Sequence, residues 1–394
     1  MQQTIRALCV FGTRPEAIKF APVLLEMAEQ PQRFTALVCS TGQHDELLRH
    51  GLASFGIIPD YDLDLMTPNQ SLGELSGKLI VGIGKTIAES QPHLVLVQGD
   101  TTTTFCAALA ASYAKVPVGH IEAGLRTYDS ANPFPEENNR VLTDRLSSYF
   151  FAPTELNRAN LLKESVPSDR VFVTGNTSID ALRITSSRVM ARDPHSWDHF
   201  WGDAREVISD SRKPMILVTA HRRESFGAPF ENICGAISEL AIKHQDWNFV
   251  FPVHLNPHVR EVVARNLAGI ANVFLIEPLE YEPFVYLMNR ARLLMTDSGG
   301  IQEEAPSLKK PVVVMREKTE RIEAIEAGTA ILVGTAKDRI KESVEALMSD
   351  RDFYELMAAR INPYGDGFAA GKILESLYKA VSEESGVVSA TCFA

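Results

Sequence analysis

The sequence predicts an α/β protein of two doubly wound parallel-sheet domains, and three observations carry that reading. Short apolar runs alternate with helical patterns along the whole chain, the arrangement of a parallel sheet covered by helices on both faces. The runs fall into two sets of six, separated by a charged stretch between Gly175 and Lys213. At 394 residues the chain also exceeds what one hydrophobic core usually serves.

In order, the first set of strand-like runs is IRALCVF (5 to 11), FTALVCS (34 to 40), HLVLVQ (93 to 98), VPVGHI (116 to 121), SYFFA (148 to 152) and RVFVTG (170 to 175). Between them, EAIKFAPVLLEMAEQ and TTFCAALAASYAK carry helical spacing. The second set is PMILVT (214 to 219), WNFVFPV (247 to 253), NVFLIE (272 to 277), RLLMT (292 to 296), KPVVVM (310 to 315) and AILVG (330 to 334). The stretch between the sets holds Trp197 and Trp201 but few strand signals, which places one domain at residues 1–180 and the other at 181–363. From 364 onward, Ile373, Leu374, Leu377 and Tyr378 recur at helical spacing, and this tail helix (364–394) is expected to pack back on the first domain.

Composition narrows the function. With 45% hydrophobic and 23% charged residues the chain is ordinary for a globular protein. A net charge of -11 argues against a general nucleic-acid surface, so any anionic ligand needs a local cationic cluster. Cysteines 9, 39, 106, 234 and 393 are scattered, without metal-ligand spacing, and read as reduced thiols. No 18-residue apolar run occurs and the N-terminus leads directly into a strand, so a cytoplasmic protein without a membrane partner is expected.

The polar chemistry gathers just after the apolar runs, where open α/β sheets bind ligands. GHIEAGLRTYDSANPFPEENNRVLTD (119 to 144) packs acids, bases and prolines into one loop, and QGDTTTT (98 to 104) ends the neighbouring run, so Asp100 and Glu122 are expected to share a crevice. GTRPEAIK (12 to 19) opens a helix: Gly12 suits a tight turn, Pro15 the first helical position, and free amides with Arg14 and Lys19 suit an anion. DSGGIQEEAPSL (297 to 308) opens another with Ser298, Gly299 and Gly300 as a phosphate nest, Glu304 following for a ribose. His221, between Ala220 and Arg222 at a run's end, is the histidine most suited to a site. VGIGKT (81 to 86) lacks the first glycine of a phosphate loop and lies within a helical pattern, and the acidic DYDLDL (60 to 65) reads as a solvated loop and edge strand rather than a metal site. No GxGxxG dinucleotide fingerprint is present and neither cofactor nor metal is expected, which leaves proton transfer and a good leaving group as the chemistry. A nucleoside-diphosphate sugar supplies such a leaving group.

GTRPEAIK, TGQH, GDTTTT, HIEAGLRT, PFPEENNR, GNTSIDAL, HRRESFG, PVHLNP, TDSGGIQEEAPSL and TERIEAIEAGT follow one another in an order that resembles the non-hydrolysing UDP-N-acetylglucosamine 2-epimerases of bacteria, from about residue 4 to about 380. The resemblance implies two Rossmann-like domains in GT-B architecture with the active site in the interdomain cleft, a homodimer, and interconversion of UDP-GlcNAc with UDP-ManNAc for surface polysaccharide. It implies elimination of UDP to a 2-acetamidoglucal and re-addition, with closure over the reactive glycal.

Residue by residue, the resemblance implies acid/base roles for Asp100, Glu122 and Glu136, and stabilisation of the separated UDP by Arg140 and His221. It implies UDP binding by Arg14, Lys19, Ser298, Gly299, Gly300, Glu304 and Arg321, with Leu279 and Phe284 lining the uridine. Gln43, His44, Gln70, Arg222 and His254 match a region where many members bind a second UDP-GlcNAc as activator, though Asn69 and Glu46 stand where some members carry Arg and Gln. A glycosyltransferase on the same fold, a hydrolysing epimerase and a non-catalytic sugar-nucleotide sensor are the rival readings.

Overall fold

A computed structural model describes residues 4–42, 51–67, 70–131, 133–210, 212–222 and 225–391, the last eight as backbone only. The chain forms two compact units, Met1–Ala181 with Tyr364–Ala394, and Leu182–Pro363.

In the first unit, β1 (Ile5–Phe11), β2 (Phe34–Ser40), β3 (Tyr61–Asp62), β4 (Leu94–Gln98), β5 (Val118–Ile121), β6 (Tyr149–Ala152) and β7 (Val171–Val173) form one sheet in the order β3-β2-β1-β4-β5-β6-β7. Every neighbouring pair is parallel, and β1 pairs with β2 from Ile5 opposite Phe34 to Phe11 opposite Ser40. The apolar runs exist because both sheet faces are covered. Ala7, Cys9 and Phe11 meet helix Arg14–Ala28 and helix Ala369–Thr391 on one face, while Leu8 and Val10 meet Leu79, Ile83 and Ala107 on the other. Each Leu, Ile, Val or Phe among them contributes about 2 kcal/mol when withdrawn from water. Tyr61 and Asp62 form the sheet's outer edge, the edge strand expected within the acidic stretch, and join the six apolar runs as a seventh strand.

In the second unit, β8 (Met215–Thr219), β9 (Asn248–Pro252), β10 (Val273–Ile276), β11 (Leu293–Thr296), β12 (Val312–Val314) and β13 (Ala330–Leu332) form a parallel sheet in the order β10-β9-β8-β11-β12-β13. Both sheets therefore reverse winding once, between β1 and β4 and between β8 and β11. Crevices at such reversals are where doubly wound sheets bind ligands. Trp197 and Trp201 are buried against Tyr286 in this unit, which accounts for the aromatics of the linking stretch.

Helix Thr177–Ala191 runs through the unit boundary. The returning tail is fastened to its first turn: the Asn176 amide donates to the Tyr364 carbonyl at 2.7 Å, and Asp180 accepts the amides of Ala369 and Ala370 at 3.0 and 2.9 Å. Ile373, Leu374 and Leu377 then enter the first unit's core. VGIGKT lies inside helix Leu72–Ser90, whose start is set by a reciprocal Ser71–Glu74 cap. No described helix is long and apolar enough to cross a membrane.

Candidate active site

Glu122 follows β5 in a left-handed backbone conformation, φ 69°, that non-glycine residues seldom adopt and that concentrates at functional sites. Its amide and that of Ala123 both donate to the Phe151 carbonyl, which holds the turn. The carboxylate is almost buried. Lys19 reaches it at 2.8 and 2.7 Å, Asn176 at 3.4 Å, and Gln98, the last residue of β4, donates to Oε2. A carboxylate so surrounded has its orientation fixed from three elements.

Asp100 is next to it in the fold, since β4 and β5 are neighbours. Arg140 pairs with Asp100 and, at 2.8 Å, with Glu137, and the Asn139 amide nitrogen donates to the Asp100 carbonyl at 3.0 Å. Glu137 also caps the backbone amides of Thr127 and Tyr128 at 3.0 and 2.9 Å. Glu136 stands half-buried in the first turn of helix Glu136–Leu146 and makes no side-chain hydrogen bond or ion pair among the described residues. Arg140, expected to meet the separated UDP, thus has its guanidinium committed to two carboxylates of its own unit. That arrangement suits orientation of Asp100.

Beneath this crevice lies a buried chain the sequence reading did not single out. His120, fully buried on β5, donates from Nε2 to the Gly99 carbonyl at 2.7 Å and sets Nδ1 2.6 Å from Asp144 Oδ1. Arg126 bonds the other Asp144 oxygen at 2.7 Å and extends to Glu164. Burial pushes the Asp144 carboxyl up, but His120 and Arg126 outweigh it and hold the group below the usual range. Because Gly99 immediately precedes Asp100, the chain steadies the backbone that presents that carboxylate. The signal available in the sequence was a histidine inside an apolar run with an acid and an arginine in the following loop.

The loop after β1 differs from expectation. Helix Arg14–Ala28 begins at Arg14, so Pro15 is its second residue, and the amides of Gly12 and Thr13 are taken at 3.1 and 2.8 Å by Glu16 rather than left for an anion. Glu16 is itself buried and also accepts the hydroxyls of Thr13, Thr101 and Thr104 at 2.7, 2.7 and 3.0 Å. Burial raises its pKa, against the lowering effect of these hydrogen bonds. Gly12 is needed for close approach and not for a left-handed turn: a Cβ there would overlap the Thr103 and Thr41 hydroxyls. Arg14 is half-buried beside this loop.

In the second unit, Asp297 follows β11 fully buried and accepts the amides of His221 and Arg222 at 2.7 and 2.8 Å, joining the ends of β8 and β11. Its other oxygen makes no hydrogen bond among the described residues and lies 3.7 Å from His221 Nδ1. The His221 ring stacks on His254 at 5.2 Å. Burial lowers the His221 pKa, with Asp297 opposing and His254 and Arg222 adding to the lowering. This favours the neutral imidazole at pH 7.

Ser298 stands at the N-cap position of helix Gly299–Glu304 without a capping hydrogen bond from its side chain, and its amide donates to Thr296 Oγ1 at 2.9 Å. Arg321 lies over Gly299, where a Cβ would come within 3.1 Å of its guanidinium carbon, and pairs with Glu303 and Glu320 at 2.8 and 2.9 Å. Arg316 bonds Glu320 at 2.9 Å. Burial pushes Glu320 up, but Arg321 and Arg316 prevail and bring it down to about 2. Gly300 and Glu304 are half-buried on the same turn, and Leu279 and Phe284 are half-buried around the start of helix Tyr281–Arg290. Glu303, Glu320 and Arg316 were not anticipated, since each acts through a partner distant in sequence. Of the five residues matched to an activator region, Gln70 lies in the first unit, where Thr67 donates to it at 2.8 Å. Arg222 and His254 lie in the second, and Gln43 and His44 fall outside the described residues. Among the described residues no cluster of His, Cys, Asp or Glu is placed to hold a metal ion.

Two doubly wound α/β units, one with braced carboxylates at its strand ends and one with a glycine-opened helix start lying under Arg321, define a protein of the two-domain sugar-nucleotide class. Residues 26–378 match the family model described as UDP-N-acetylglucosamine 2-epimerase. The chain is 54% identical over 373 residues to the UDP-N-acetylglucosamine 2-epimerase of Escherichia coli (strain K12), covering 95% of this chain and 98% of that protein. It is 53% identical over 373 residues to the Yersinia pestis enzyme of the same name, with the same coverage. The crystal structure of UDP-GlcNAc 2-epimerase from Neisseria meningitidis bound to UDP-GlcNAc superposes with a TM-score of 0.88 at 50% identity, covering 95% of this chain and all of that one. The chain belongs to the UDP-N-acetylglucosamine 2-epimerase family, and its fold is that of the family's GT-B members.

Proposed function

We propose that this protein reversibly converts UDP-N-acetylglucosamine to UDP-N-acetylmannosamine at sugar carbon 2. The observation that carries the reading is Glu122, a carboxylate held at a strained strand end by Lys19, Gln98 and Asn176. The hydrogen on carbon 2 is not acidified by a carbonyl. Elimination answers this: the anomeric C–O bond breaks with its electrons going to UDP, a carboxylate takes the carbon 2 proton, and a 2-acetamidoglucal results. Reprotonation from the opposite face and return of UDP to the anomeric carbon complete the epimerisation.

Two faces require two acid/base groups in different environments. Glu122, beside a lysine, and Asp100, beside Arg140, have such environments, and Glu136 is the third candidate. Arg140 orients Asp100, and neutral His221 donates a hydrogen bond to the departing diphosphate. Arg14, Lys19, Ser298, Gly299, Gly300, Glu304 and Arg321 hold the UDP, with Leu279 and Phe284 against the uridine. Family membership further supports a cytoplasmic homodimer serving surface polysaccharide synthesis, with UDP-GlcNAc as activator through Gln43, His44, Gln70, Arg222 and His254.

Incubation with UDP-GlcNAc in deuterium oxide tests the reaction by proton NMR: UDP-ManNAc carrying deuterium at carbon 2 is expected. Free ManNAc plus UDP would mark a hydrolysing enzyme instead. A hyperbolic forward rate, with an unstimulated reverse reaction in pure UDP-ManNAc, would count against activation.

A further inference from the structure

At the opposite end of the second sheet from His221 and Asp297, where β8, β9, β11 and β12 begin, a cavity of about 550 Å³ is lined by Arg212, Lys213, Arg290, Arg292 and Lys310. We propose that this basic cavity is a second ligand site, binding a small phosphate-bearing anion at a distance from the reaction centre.

The chain carries a net charge of -11, yet five cations converge on one hollow with only Asp210 and Asp246 for acids. Asp210 is consumed by Arg212, which grips both its oxygens at 2.8 to 3.0 Å. Asp246, which is exposed, is the other acid in the lining beside Lys213, Arg290, Arg292 and Lys310. Like charges gathered in a partly enclosed space repel strongly, and an anion bound among them removes that cost.

The cations are also positioned. Arg290 Nε is fixed by the Ile208 carbonyl at 3.1 Å. The Arg292 guanidinium lies 4.0 Å over the Tyr354 ring, and the Tyr354 hydroxyl bonds the Arg292 carbonyl at 2.8 Å. Lys213 bonds the Gln245 carbonyl at 3.3 Å. The half-buried Lys310 ammonium makes no ion pair or side-chain hydrogen bond among the described residues. Burial, then Arg290 and Arg292, lower its pKa, as expected of a cation lacking its counter-ion. Guanidinium groups match phosphate oxygens in pairs, and a volume of this size accommodates more than orthophosphate alone.

The full-length protein, saturated with UDP to occupy the nucleotide site, is titrated calorimetrically with pyrophosphate, orthophosphate and ribose 5-phosphate. Saturable binding is expected, weakening with added salt, and falling at least about tenfold in Arg290→Gln and in Lys310→Met. Preference for ribose 5-phosphate over pyrophosphate assigns an organic phosphate, and the reverse an inorganic one. Lys310→Met is further expected to raise Tm without ligand, since it removes an unpaired charge, and to abolish the Tm increase that pyrophosphate gives the parent. Absence of saturable binding for all three anions overturns the proposal, as does binding unchanged in both variants.

Discussion

Each sheet is stitched across its winding reversal by one buried carboxylate, and the two stitches differ. Glu16 joins the ends of β1 and β4 with every oxygen occupied, by two amides and three hydroxyls. Asp297 joins the ends of β8 and β11 with two amides on one oxygen and leaves the other facing His221. A saturated carboxylate is a structural brace, while a half-used one can respond to the charge of its neighbour. The first unit accordingly places Asp100 and Glu122, the carboxylates proposed for acid/base work, beside the brace, and the second builds an imidazole onto it.

The largest expected effect sharpens the first half of this contrast. Glu122→Gln keeps the shape of the crevice and removes the proposed acid/base carboxylate, so turnover should fall by about three orders of magnitude with UDP affinity nearly unchanged in calorimetry. Turnover near that of the parent would remove Glu122 from the mechanism. Glu16→Ala removes the shared acceptor of two amides and three hydroxyls, and a loss of about 3 kcal/mol in denaturant unfolding is expected, against about 1 to 2 kcal/mol for Asp297→Asn, which retains one acceptor oxygen. Equal losses would erase the distinction between brace and sensor. Asp297→Asn also withdraws the one charge that raises the His221 pKa, so the acidic limb of the pH–rate profile should move to lower pH.

The pH dependence of folding separates the units further. Glu16 has a raised folded pKa: its contribution is full below the ordinary value of 4.5 and declines as pH rises above it. Glu320 has the opposite sign, contributing above 4.5 and losing that contribution as pH falls toward about 2. The destabilisation caused by Glu320→Gln, at most about 3 kcal/mol at pH 7, should therefore vanish near pH 2. A destabilisation independent of pH would show that Glu320 acts through packing. The smallest effect belongs to the exposed pair of Arg33 and Glu375. Glu375→Gln should change stability by less than about 0.5 kcal/mol, measured by thermal melts.

Much of this was legible in the sequence because β propensity and burial act locally. Twelve apolar runs anticipated twelve of the strands, with ends overextended by a residue or two; Val312–Val314, for example, occupies half of KPVVVM. Asp100 and Glu122 were legible as neighbours because consecutive strands pair. What escaped is long-range polar pairing. The tie from Glu16 to Thr101 and Thr104 has no local signal, because those hydroxyls lie 85 and 88 residues away. The pairing of His120 with Asp144 has none either, because His120 sits inside an apolar strand and Asp144 lies 24 residues on, in helix Glu136–Leu146. Gly12 was assigned to a turn when its role is to admit two threonine side chains, a contact no local pattern encodes.

The tail helix sets an order of events during synthesis. The first unit's core contains Ile373, Leu374 and Leu377, all without solvent exposure. That core stays incomplete until Ile373, Leu374 and Leu377 have left the ribosome, whereas Leu182–Pro363 is continuous and can close its own core earlier. Domains usually mature from the N-terminus onward, but here the inserted unit finishes before the unit that began first. In the interval, the unfinished face of β1 is the apolar surface a nascent chain must keep from its neighbours.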